Sequence, residues 1–111
     1  MVATFVTMSG PSPGLAHIAR MAQEAIEGWL REYDGYLGLV ILTNEDEHRA
    51  RIVTFWDTLE NEIRSRQGRN ALRAQIAATA ELTIDEIEVY EVPVFELVDP
   101  AEEPPAAGAA G

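Results

Sequence analysis

Apolar residues in this chain come in two rhythms. Residues 2–8 are short, β-branched and aromatic, which predicts a first strand. Residues 9–14, Ser-Gly-Pro-Ser-Pro-Gly, predict a loop in which Ser12 caps a helix and Pro13 takes its first position. From 15 to 33 the spacing changes: Leu15, Ile18, Ala22, Ile26 (with Ala25), Trp29 and Tyr33 recur at steps of three and four. That is one apolar stripe along a helix. Asp34-Gly35 stops it. Residues 36–42 are apolar at consecutive positions, the mark of a strand covered on both faces. A polar turn over 44–48 and a return strand over 49–56 complete a hairpin ending in Trp56.

Asp57-Thr-Leu-Glu60 has the acid-three-residues-on spacing of a capping box. The helix it opens is expected to run through Leu59 and Ile63 to about Arg66 and to break or kink at Gly68. It resumes over 70–79 with Leu72 and Ile76 inward. Residues 87–98 are expected to form the last strand. Residues 99–111, rich in Pro, Ala, Gly and Glu, are expected to form a disordered tail. The order β-α-β-β-α-β over residues 1–98 is an α+β, ferredoxin-like pattern in one domain. Helices cover one face of such a sheet. Apolar side chains on the other face imply a partner, and two sheets packed face to face would make a barrel-like homodimer.

The chain has 111 residues, 19 acidic against 8 basic, and a net charge of −11. All eight basic residues are Arg. This balance argues against nucleic acid, which needs a basic footprint, and against anionic membranes. There is no Cys, so disulfides, thiolate metal sites and Cys nucleophiles are excluded. The start shows no signal-peptide pattern and no apolar run reaches the ~20 residues of a membrane span. A cytoplasmic protein is the default expectation. His17, in the first turn of the first helix, and His48, in the charged turn, are far apart and lack ligand spacing with acids, so no metal site is expected. The run 45–47 is a solvated turn.

Short motifs carry a further likeness: Val6-Thr7, Gly28-Trp29-Leu30-Arg31-Glu32, Gly35-Tyr36-Leu37, Phe55-Trp56-Asp57 and Leu72-Arg73. Over roughly residues 3–98 they resemble the antibiotic biosynthesis monooxygenase family of the dimeric α/β-barrel superfamily. The resemblance implies a homodimer that oxidises a small aromatic or polyketide-type phenol with O₂, using no cofactor. It implies that Trp56 lines the cavity and stacks on the ring, and that Arg73 steadies negative charge. Thr7 and Tyr36 could add hydroxyls. Quinone-forming relatives place polar residues on the cavity face where this chain has Ile52 and, near the second strand's end, Leu42. A tyrosine-like position is here Glu62. These replacements make the pocket greasier. They leave a second expectation, a non-catalytic dimer that binds a small apolar or aromatic ligand. Haem-degrading relatives use a His in the second helix, which this chain lacks.

Overall fold

The computed structural model describes residues 1–28 and 30–98, with the backbone alone for residues 12, 16 and 25–28. Its elements are β1 (Val2–Ser9), α1 (Ser12–Gly28), a 3-10 turn (Leu30–Glu32), β2 (Tyr36–Asn44), β3 (Arg49–Trp56), α2 (Leu59–Ala80) and β4 (Thr83–Glu91). The strands form one antiparallel sheet in the order β2-β3-β1-β4, the ferredoxin-like arrangement. Both helices lie on the same face.

The register decides which side chains meet the helices. Val6 pairs with Ile52 and Ile87, Thr4 with Thr54 and Val89, and Ile52 with Ile41. Alternate residues share a face, so Val2, Thr4, Val6 and Met8 join Ala50, Ile52, Thr54 and Trp56 beneath the helices. Ala3, Phe5, Thr7, Val40, Leu42, Val53 and Phe55 point the other way.

The apolar core fills only one half of the helix–sheet layer. There Val6, Met8, Leu15, Ile18, Ala50, Ile76, Ala77, Ala80 and Leu82 pack together. The first part of the α1 stripe is thus buried; Trp29 lies outside the described residues, as do the side chains of Ala25 and Ile26.

Four boundaries differ from the sequence expectation. The first helix ends at Gly28, and a 3-10 turn carries the chain toward Tyr33. The N-cap of α2 is Thr58, whose hydroxyl accepts from the Asn61 backbone N–H at 3.2 Å; Asp57 instead accepts from the Asn61 side chain at 2.9 Å. Gly68 neither breaks nor kinks a continuous α2. Glycine weakens a helix interior, but Arg69 donates to Ser65 Oγ and to the Glu62 carbonyl, tying the turns before it to the turn after it. The last strand is Thr83–Glu91, not 87–98. Pro93 has no N–H for a ladder, and pairing stops just before it, where the backbone N–H of Val92 donates to the Met1 carbonyl in line with the Val2–Glu91 pair. The expected tail, 99–111, lies outside the described residues.

Candidate functional site

The other half of the helix–sheet layer is polar. The inner face of α2 reads Glu62, Ser65, Arg69, Arg73, then Ile76, Ala77 and Ala80, all buried. An acid, a hydroxyl and two arginines stand where apolar residues would normally run. Meanwhile Leu59 and Ile63 point outward and are exposed.

Glu62 is the centre of this arrangement. Its Oε2 accepts from Thr4 Oγ1 at 2.6 Å and from Arg69 at 2.8 Å. Its Oε1 accepts from Arg66 Nε at 2.6 Å. Burial pushes its pKa up, but the hydrogen bonds from Thr4, Arg69 and Arg66 outweigh burial and hold the carboxyl below its ordinary range. Sequence reading placed Glu62 only as a departure from a family pattern. Its spacing of four from Arg66 looks like a surface pair. The available signal was the recurrence of polar residues 62, 65, 69 and 73 along one face of a helix that must cover a sheet.

Arg69 links this network to Trp56. Its guanidinium carbon sits 4.8 Å from the centre of the Trp56 ring, a cation–π contact. Trp56 is fully buried. Its Nε1 donates to Thr54 Oγ1 at 3.1 Å, and the rings of Tyr33 and Tyr36 meet it edge-on at 6.3 and 5.6 Å. Burial raises the Tyr36 phenol above its ordinary pKa, opposed by Arg31, so the hydroxyl remains a donor through neutral pH.

Arg73 is buried beside Arg69 and, among the described residues, pairs with no carboxylate. Its NH1 donates to Asn70 Oδ1 at 2.8 Å. Desolvation first, then the charge of Arg69, lower its pKa, and Glu62 opposes them. Two hollows share Arg69 and Arg73 as a common wall. One, of about 50 Å³, lies between helices and sheet and is lined by apolar residues including Val6, Leu39, Ile52, Leu72 and Ile76. The other, of about 310 Å³, is an open cleft between α2 and β4, lined by Thr4, Glu62, Arg66, Asn70, Ile87 and Val89 besides the two arginines.

Of the residues singled out from sequence, Ile52 and Arg73 therefore line the same cavity, and Trp56 and Tyr36 flank it through Arg69. Thr7 and Leu42 do not join them. The register puts both on the opposite face, Leu42 against Arg51 and half exposed. Leu42 and Ile52 are one residue out of phase across the β2–β3 ladder, so they cannot line one cavity in a single protomer. Among the described residues no group of three His, Asp or Glu comes together to hold a metal ion, and no helix is long and apolar enough to cross a membrane.

A four-stranded antiparallel sheet under two helices, with a half-apolar, half-cationic hollow between them, defines a ferredoxin-like α+β scaffold. No protein-family model matches the chain, and no curated protein matches it in sequence. Solved structures do share its fold. A candidate antibiotic biosynthesis monooxygenase from Deinococcus radiodurans superposes with a TM-score of 0.66 at 19% identity, covering 89% of this chain and 99% of that one. A variant of SnoaB, a cofactor-independent oxygenase from Streptomyces nogalater, gives 0.63 at 13% identity, covering 85% and 95%. A dimeric ferredoxin-like protein from an uncultured marine organism gives 0.62 at 15%, covering 86% and 97%. The first carries the name of the family that the sequence motifs resemble. At these identities the likeness establishes the α+β ferredoxin-like fold.

Proposed function

We propose that this chain is an oxygenase-type protein that needs no bound cofactor and takes a small aromatic phenol together with O₂. The observation that carries the reading is Arg73, a largely buried guanidinium that pairs with no carboxylate among the described residues and lies on the wall of an apolar cavity. A phenolate supplies the missing negative charge, and a buried cation gains most from such a partner because little water competes. The phenolate is also the electron source. One oxygen atom of O₂ bonds to a ring carbon and the other leaves as water with the two displaced hydrogens, so a phenol becomes a quinone. The protein's part is to keep the ring dry against Ile52, Leu72 and Ile76 and to hold the developing charge. The cavity, about 50 Å³, is smaller than an aromatic ring, so this reading requires the Arg73 side chain to move aside and open it to the cleft beyond. Trp56 acts in this scheme by bracing Arg69, since its ring is already in contact with that guanidinium. The description of SnoaB as a cofactor-independent oxygenase supports the reading.

A second reading, a binding protein without catalysis, is favoured by Ile52 in the cavity wall and by Glu62, whose two oxygens are both engaged. Oxygen uptake with a panel of naphthols and dihydroxyaromatics separates the two. Wild type is expected to consume one O₂ per quinone formed, and Arg73→Ala to lose at least tenfold in rate. No uptake by wild type across the panel overturns the oxygenase reading.

We further propose that the chain self-associates through the sheet face away from the helices. Val40, Leu42, Tyr90 and Phe95 are substantially exposed there, and Phe95 meets Phe55 at 5.2 Å. An apolar face of this kind invites a second copy, and the dimeric neighbour uses the same fold.

A further inference from the structure

The cleft between α2 and β4 holds more positive charge than the phenolate of the preceding reading would neutralise. Arg66, Arg69 and Arg73 line it against a single carboxylate, Glu62. Both oxygens of that carboxylate are already engaged: Thr4 and Arg69 donate to one and Arg66 to the other. Arg73 spends one of its five N–H donors on Asn70, and the rest have no protein acceptor among the described residues. Two positive charges are thus left over at one place in a chain whose net charge is −11.

Resting on the phenol reading of Arg73, we propose that the ligand also bears a carboxylate, seated in this cleft on Arg66 and Arg73, so that the substrate class is hydroxyaryl carboxylic acids. A carboxylate matches the planar fork of a guanidinium two bonds at a time. Arg73 stands between the two hollows and faces the phenolate from one side and the carboxylate from the other. The floor of the cleft favours an organic acid over inorganic phosphate. Ile87 and Val89 are exposed on it, ready to take the edge of an apolar ring. The arginines project from the middle of α2, away from the backbone N–H groups at its N-terminus that phosphate sites exploit.

The test is anaerobic calorimetry with a hydroxynaphthoate and its methyl ester, which share the ring and the phenol. Wild type is expected to bind the acid about tenfold more tightly, the scale of one charge-assisted contact. Arg73→Met should bring the ratio close to one, and Arg66→Met should lower it. Arg64→Met, at an exposed arginine paired with Glu60 on the outer side of α2, should leave it unchanged. Arg66 is partly exposed, so its variant carries the test if Arg73→Met does not fold. Equal binding of acid and ester by wild type overturns the proposal. So does a ratio that survives substitution of both arginines, or displacement of the acid by inorganic phosphate at equal concentration. Oxygen uptake is scored separately. Naphthol turnover with no preference for the acid sinks this proposal and spares the oxygenase reading. Preference for the acid with no uptake on any phenol does the reverse.

Discussion

Replacing Glu62 by Gln keeps the shape of the side chain and removes its charge. Arg69, only 4% exposed, then has no counter-ion among the described residues, and Arg66 loses its partner as well. Breaking a buried ion pair from one side costs about 3–5 kcal/mol, because the remaining charge stays buried without compensation. For a domain of this size each kcal/mol lowers Tm by about 4 °C or more, so Glu62→Gln should melt at least 10 °C or so below wild type at pH 7 and equal concentration. The acid side provides an independent check. The folded carboxyl has a pKa below its ordinary value of 4.5, so its contribution is complete above that value and fades as pH falls through the lower folded one. The gap between wild type and variant should therefore be constant from pH 6 to 8 and close progressively below about pH 4. A double replacement, Glu62→Leu with Arg69→Met, removes both charges and should recover most of the loss. Thermal melts by circular dichroism decide the matter. A Glu62→Gln variant within 2 °C of wild type, or a double variant no better than the single, would refute the view that this network is a closed, buried charge system.

Light scattering after size exclusion should give roughly twice the 12.2 kDa chain mass, and Leu42→Lys, on the face away from the helices, should shift it toward one chain; a monomeric wild type rejects sheet-to-sheet pairing. Gly35 has φ +79, and a Cβ there meets Asp57 Oδ1 and the Asn61 side chain at the start of α2. Gly35→Ala should cost about 1–3 kcal/mol in urea melts, whereas Gly38→Ala, which meets nothing within 4 Å, should stay within about 0.5 kcal/mol; equal effects contradict the assignment of strain to Gly35.

The hairpin was legible because its strands are rich in apolar residues and its turn is polar, and β3 begins and ends where the pattern says. Which face of each strand is buried was not legible. Parity along one strand is certain, but it says nothing of where the helices sit, and both faces here carry apolar side chains. Thr7 and Leu42 were therefore grouped with Ile52, although one step of register separates them. Helix α2 misled in another way. Gly68 reads as a break in a helix that is in fact continuous, and Glu62 stood out only as a departure from a family pattern. Only contact with Thr4, 58 positions away, turns Glu62 inward, and such a long-range partner has no local signature. Arg73 was singled out through the resemblance; its place on the cavity wall, with no carboxylate paired to it among the described residues, required the fold.

The placement of this network says something that its bonds alone do not. An apolar pair of similar volume at Glu62 and Arg69 would be neutral or better for stability. The chain has the means to build such a pair, since the same helix does so one turn later with Ile76, Ala77 and Ala80. A polar inner face is thus confined to the first half of α2, which borders both hollows, and it turns apolar beyond Arg73, where Ile76 still lines the smaller one. Local rules of folding are most often broken where a protein has something other than stability to achieve. Here the break fixes Arg69 against Trp56, engages both oxygens of Glu62, and leaves Arg73 with spare donors among the described residues. A helix built for packing alone would have no reason to set two arginines against the sheet.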